Sequence, residues 1–113
     1  MSTIYSVEEV TLAFERSLPP NLIVTAVGTV STGGWSNFRL SKIEHVTPPE
    51  DGIQEFSFDG TPPSGIATQA FESHKMAFAR LNEIDEDNYW GPGIRIAGIR
   101  VVANTNMIEV NLT

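Results

Sequence analysis

The stretch Leu22-Ile-Val-Thr-Ala-Val-Gly-Thr-Val30 says most about the fold of this chain. It is rich in β-branched residues, is too short for a stable helix, and is bounded by Pro19-Pro20-Asn21 and Ser31-Thr-Gly-Gly34. Branched side chains favour strands because they pack well on a pleated surface. The stretch therefore predicts a strand that is buried on both faces.

Short apolar runs separated by turn residues continue on both sides of this strand. They predict further strands near 8–15, 38–47, 53–58, 66–71, 76–81, 94–103 and 107–112. The alternation within 94–102 changes phase at Gly98, which indicates a bulge or a close backbone contact there. Asn104-Thr-Asn106 is a tight-turn sequence and predicts that the last two strands form a hairpin.

Two segments have both helical and strand character. Ser6-Val-Glu-Glu9 matches a helix capping box, yet the apolar residues that follow alternate as in a strand. The segment 74–81 has a helix-forming composition, although Met76 and Phe78 also alternate. We expect strands in both, because the rest of the chain reads as β. Residues 1–113 are thus predicted to form one domain, an all-β, antiparallel β-sandwich of immunoglobulin-like type with seven to eight strands.

Composition narrows the class of protein. The chain has 113 residues, enough to bury a core without disulfides, and its lack of cysteine excludes thiol catalysis and thiolate metal ligands. A net charge of -7 with scattered basic residues argues against a nucleic-acid partner. The N-terminus has no signal-like apolar run and no stretch approaches the length of a membrane span. We therefore expect no membrane association and a cytoplasmic location.

The residues that could support catalysis or metal binding form no recognisable motif. His45 and His74 lack the spacing of metal ligands. The acidic stretch 83–88 comes nearest to a cation loop, but Tyr89 takes the third ligand position of an EF-hand and the turn glycine is missing. No nucleophile elbow or phosphate-binding glycine loop is present. We expect a non-enzymatic protein with no catalytic residue, no metal site and no cofactor.

Three glycine-rich turns, 31–37, 59–65 and 82–93, carry the most distinctive side chains. In an antiparallel chain of eight strands alternate connections emerge together, so we expect all three at one end of the sandwich. Exposed tryptophan and tyrosine are preferred anchors of protein interfaces, and flanking glycines let a partner approach closely. The alternative is that the tryptophans fold back over the core. The candidate binding residues are Gly33, Gly34, Trp35, Pro62, Pro63, Tyr89 and Trp90.

These observations favour a binding module that recognises a protein or associates with itself as a homo-oligomer through the three loops. One alternative is a carbohydrate-binding module with a glycan partner, in which exposed Trp and Tyr rings stack on sugars. Another is a small hydrolase whose carboxylates lie far apart in sequence.

The loop Thr32-Gly33-Gly34-Trp35 resembles the Thr-Thr-Gly-aromatic loop of chagasin-like cysteine-protease inhibitors. The resemblance covers four residues. The Asn-Pro that opens that family's loop is absent, and its Arg-Pro-Trp loop has only Tyr89-Trp90-Gly-Pro92 as a counterpart. The resemblance implies a small protease-inhibitor-like domain that recognises a protein through loops at one end.

Overall fold

The computed structural model describes residues 1–112; Thr113, the last residue of the predicted domain, lies outside them. As predicted, the described chain is all-β, and its one helical element is a 3-10 turn at Glu86–Asn88. Among the described residues no helix has the length and apolarity needed to cross a membrane. The strands are β1 (Ser2–Thr3), β2 (Ser6–Glu15), β3 (Asn21–Val30), β4 (Ser36–Lys42), β5 (Ile53–Thr61), β6 (Glu72–Leu81), β7 (Gly98–Val102) and β8 (Met107–Asn111).

The predicted central strand is β3, which pairs antiparallel with β2 on one side and with β6 on the other. Its inner residues Leu22, Val24 and Ala26 are fully buried, whereas the residues between them are half-buried. The prediction that this strand is buried on both faces was therefore wrong. The outer face of the three-stranded sheet is only partly covered. The branched side chains of β3 on that face therefore favour strand formation but do not pack in the core.

The second sheet is built around β5 in the order β4–β5–β7–β8, with β1 pairing the far end of β5. All its pairs are antiparallel except one: β5 and β7 run parallel, with Ile53 opposite Gly98 and Ser57 opposite Val102. The wholly antiparallel arrangement predicted from the sequence is wrong at this pair. The cause is the long connection 82–97, which carries the chain from β6 to the start of β7, beside the start of β5.

One hydrophobic core lies between the two sheets. Phe56 and Phe58 of β5 belong to the same buried cluster as Val24 and Ala26 of β3. The last hairpin contributes as predicted, since Ile99 and Val101 are buried and β7 pairs antiparallel with β8. Burial of this kind stabilises by about 25 cal/mol per Å² of apolar surface removed from water. The loops at either end of the sheets are thereby held on a fixed frame.

The two ambiguous segments are strands, and one predicted strand is a loop. The segments 6–15 and 74–81 lie within β2 and β6, so both are strands as predicted. The predicted strand 66–71 is instead part of a ten-residue loop, 62–71, between β5 and β6. Its two large apolar residues, Ile66 and Phe71, are five positions apart and would face opposite sides of a strand. The segment thus offers no continuous face to bury.

Candidate functional site

The two tryptophans lie at opposite ends of the molecule. The Trp35 ring packs against Gly60, near the end of β5, while Trp90 Nε1 donates a hydrogen bond to the carbonyl of Gly52, just before β5 begins. These two glycines are eight positions apart along the strand, about 26 Å at 3.3 Å per residue. The predicted grouping of Trp35 with Tyr89 and Trp90 at one end is therefore wrong.

The missing strand explains this error. The expectation that alternate connections emerge together included 66–71 as a strand, and with one strand fewer every later connection lies at the other end. The loops 31–37 and 59–65 do share an end, because Ser36 pairs with Thr61 and the Gly33 amide bonds to Thr68 O at 3.0 Å. The loop 82–93 lies opposite, where the Ile84 amide bonds to Pro20 O.

Trp35 is a partly buried side chain that packs against the hydrophobic core. Its Nε1 donates to Thr32 Oγ1 at 3.1 Å, so the indole has an internal hydrogen-bond partner. The rings of Trp35 and Phe38 both lie over Gly60, where an added Cβ would come within about 3.1 Å of each. The ring therefore caps one end of the core, which is the structural alternative considered for it above.

The glycines and prolines beside Trp35 hold two loops together. Gly34 has a φ of +87°, and a Cβ there would lie 2.8 Å from Pro63 Cβ, so only glycine fits. Gly33 bonds through its amide to the loop that follows Pro62 and Pro63. Gly33, Gly34, Pro62 and Pro63 are thus brought together as expected. The close contact that the glycines permit is between the two loops, however, and not with a partner.

Tyr89 and Trp90 close the opposite end of the core. The Tyr89 hydroxyl donates to Gln54 Oε1 at 2.8 Å, and Gln54, only 2% exposed, donates from Nε2 to two backbone carbonyls. Burial, with the nearby Glu44 charge, raises the pKa of Tyr89 to about 12. Trp90 stacks edge-on against Tyr89 and His45, at centroid distances of 4.9 and 5.8 Å. This pair too is engaged internally.

Two shallow clefts flank this Tyr89–Trp90 end. One of about 400 Å³ contains Lys42, Arg80 and Tyr89, and the other, of about 510 Å³, lies between Pro19-Pro20 and the acidic stretch. Each cation is already paired, Lys42 with Glu44 and Arg80 with Glu15. Within residues 1–112 no group of three or more His, Asp or Glu side chains is arranged to hold a metal ion.

Charge divides the loops sharply between the two ends. The connections at the Trp90 end contain nine charged residues: Arg16, Glu44, Glu50, Asp51, Glu83, Asp85, Glu86, Asp87 and Arg95. The segments at the Trp35 end contain no Asp, Glu, Lys or Arg; they are 4–5, 31–35, 62–71 and 103–106. We call these two surfaces the charged end and the uncharged end. The nearest ionic group along the chain, Glu72, is paired with Lys75 at 3.1 Å.

The uncharged end exposes large apolar side chains that the sequence did not single out. The rings of Tyr5 and Phe71 form a tilted pair, with centroids 4.8 Å apart and an interplanar angle of 56°, and Phe71 is 62% exposed. Ile66 in the same loop is wholly exposed, and Met107 begins β8 next to the 103–106 turn. Backbone hydrogen bonds from residues 104 and 105 to the carbonyls of residues 4 and 5 tie these segments together.

A signal for this surface was present in the sequence. The absence of charge from 31–37 and from 62–71 is visible without a structure, and the loops 31–37 and 59–65 were expected to share an end, which the sheet register confirms. Comparisons with protein-family models, with curated proteins and with solved structures find nothing that matches this chain.

Proposed function

We propose that this chain is an immunoglobulin-like β-sandwich, of the kind that works in a reducing compartment such as the cytoplasm, and that it is a non-enzymatic protein-binding module. Its binding surface is the uncharged end, centred on Tyr5, Ile66 and Phe71. The sandwich assignment is supported by two sheets around one core and by the chain length. The parallel β5–β7 pair is its departure from a purely antiparallel sandwich.

The single observation that carries this function is the exposure of aromatic and aliphatic side chains on a surface whose loops hold no charge. The cores of protein interfaces are depleted in Asp, Glu and Lys and enriched in Tyr, Phe and Met, while their rims are polar. The uncharged end has this composition, with Ser, Thr, Asn and Gln around Tyr5, Phe71 and Met107. Loops on a rigid frame are also where binding function is commonly located.

The geometry gives less support to the two alternative ligands. A sugar platform needs an exposed flat ring, but both tryptophans are partly buried and bonded within the chain. An inhibitor of the kind that Thr32-Gly33-Gly34-Trp35 resembles needs its second aromatic loop beside the first, whereas Trp35 and Trp90 lie at opposite ends of β5. Protein recognition through the uncharged end requires neither feature.

Site-specific photo-crosslinking in the cells that produce this protein tests the proposal. Ile66 at the uncharged end and Val46 at the charged end are matched probes, because they are 105% and 104% exposed and both lie in loops. A photoreactive residue at position 66 is expected to give discrete crosslinked species that position 46 does not give. Equal crosslinking from both positions, or crosslinking from position 46 alone, would place the binding surface elsewhere.

A further inference from the structure

We infer that the partner of the uncharged end is a second copy of this chain, docked end to end about a two-fold axis. This rests on the proposed function, since it names the protein that the same surface binds. A two-fold interface places the same patch of each copy in contact, so the patch must be complementary to itself. A surface whose loops hold no Asp, Glu, Lys or Arg comes close to that condition, because the carboxylate that borders it, that of Glu72, is already paired with Lys75.

The distribution of charge favours this arrangement over other contacts between copies. Each chain carries a net charge of -7, so two copies repel wherever their carboxylates come close. The outer faces of both sheets carry charged side chains, among them Glu9 and the ion pair of Glu15 with Arg80 on the three-stranded sheet, and Glu55 and Glu109 around Arg100 on the other sheet. The uncharged end is the surface on which a second copy adds no like-charge contact between loops.

The shape of the molecule strengthens the same argument. The chain measures 51 × 29 × 20 Å, and its strands of up to ten residues span about 33 Å, so the long axis follows the strands. Docking the uncharged ends would hold the two charged ends roughly 100 Å apart, many times the screening length of about 8 Å at physiological salt. Repulsion between the acidic loops would then be negligible. A basic partner, by contrast, would be attracted to the charged end.

The area available sets the strength of the contact. A cross-section of 29 × 20 Å limits the contact to about 600 Å² per partner, so about 1,200 Å² in total, the lower limit for specific interfaces. A weak, reversible dimer is therefore expected. Its centre would be the Tyr5–Phe71 pair, and the exposed side chains of Ile66 and Met107 at the same end would add to it.

Sedimentation velocity of the purified full chain, from roughly 10 µM to 1 mM, tests the inference, together with three apolar-to-Asp variants. Phe71→Asp puts a charge in the proposed contact, and Ile66→Asp does so at a side chain with no burial to lose. Leu18→Asp is the matched control, because Leu18 is 99% exposed and lies in the 16–20 loop of the charged end. Thermal melts of all three check that each variant is folded.

We expect the wild type and Leu18→Asp to dimerise with rising concentration, and both uncharged-end variants to weaken the dimer at least tenfold. Raising the salt from 0.05 to 0.5 M should not dissociate the dimer, since no ion pair holds it. A wild type that stays monomeric to 1 mM overturns the inference, as does a dimer that Leu18→Asp disrupts equally. A monomeric chain whose position 66 crosslinks to a different protein keeps the proposed function and removes only the self-association.

Discussion

The side-chain amide of Asn106 makes both hydrogen bonds of a strand partner to the backbone of Val7. Its Oδ1 accepts from the Val7 N–H and its Nδ2 donates to the Val7 carbonyl, each at 2.8 Å. Val7 lies on β2, an edge strand, at the point where the pairing with β3 shifts register. Asn106 belongs to the turn between β7 and β8, so one side chain joins the open edges of the two sheets.

Replacing Asn106 with alanine should lower the free energy of unfolding by about 2 kcal/mol, because it removes two hydrogen bonds and leaves two backbone groups of Val7 without a partner. Urea denaturation measures this change. Asn104→Ala is the matched control in the same turn, since among the described residues the Asn104 side chain makes no hydrogen bond, and its effect should stay within about 0.5 kcal/mol. Equal losses for the two variants would mean that the bridge has no special role.

Trp35→Ala should destabilise the protein by about 2 kcal/mol or more, because it removes a ring that caps the core over Gly60. Phe78→Ala is the comparison: this ring is 70% exposed on β6, and its loss should cost less than about 1 kcal/mol. Equilibrium unfolding of both variants gives the two values. A Trp35→Ala protein as stable as the wild type would restore the view of Trp35 as a surface anchor.

Gly98→Ala should destabilise strongly, by roughly 1–3 kcal/mol, since the new Cβ would lie 2.6 Å from Val110 O across the β7–β8 pair. The close contact is with backbone, so no side-chain rotation relieves it. Gly33→Ala provides the control, because its nearest neighbour is the end of the flexible Glu72 side chain at 3.2 Å. In thermal denaturation the melting temperature of Gly98→Ala should be well below that of Gly33→Ala.

Ionisation of Tyr89 should destabilise the fold at alkaline pH. Its pKa rises from 10.0 to about 12 in the folded protein, first because of burial and then because of Glu44. A pKa raised by folding gives stability that is complete below pH 10 and is lost as the pH rises towards 12. Tyr89→Phe lacks this ionisation but also lacks the bond to Gln54. The wild type should therefore have a larger free energy of unfolding than Tyr89→Phe at pH 8, and this difference should shrink by pH 12. A difference that stays constant with pH would contradict the raised pKa of Tyr89.

Local patterns were sufficient to predict most of the strands. Alternation in 6–15 and 74–81 outweighed their helical features, because each strand completes a sheet with β3. The contact at Gly98 and the final hairpin follow from the phase change and the turn sequence that predicted them. These are properties of neighbouring residues, and neighbouring residues are what a single sequence reveals.

The arrangement of the loops was not predictable in the same way. Whether Trp35 and Trp90 meet depends on the number of strands between them. Because 66–71 was wrongly predicted as a strand, Trp90 was predicted at the wrong end. The parallel β5–β7 pair depends on where the 82–97 connection leads the chain, which no local pattern determines. The exposed pair of Tyr5 and Phe71 likewise joins residues 66 positions apart, through contacts that only the packed sheets create.

The central position of β5 has a consequence for how the protein acquires its structure. Its neighbours are β1, more than fifty residues earlier, β4, and β7, which pairs Ile53 with Gly98. Pairings between residues so distant in sequence form slowly, because a long loop must close before any contact compensates for its lost entropy. We therefore expect folding on the millisecond-to-second timescale of β proteins. During synthesis β5 cannot complete its pairing until β7 has left the ribosome. Until then the edge of β5 that pairs with β7 has unpaired backbone groups, which can pair with other chains.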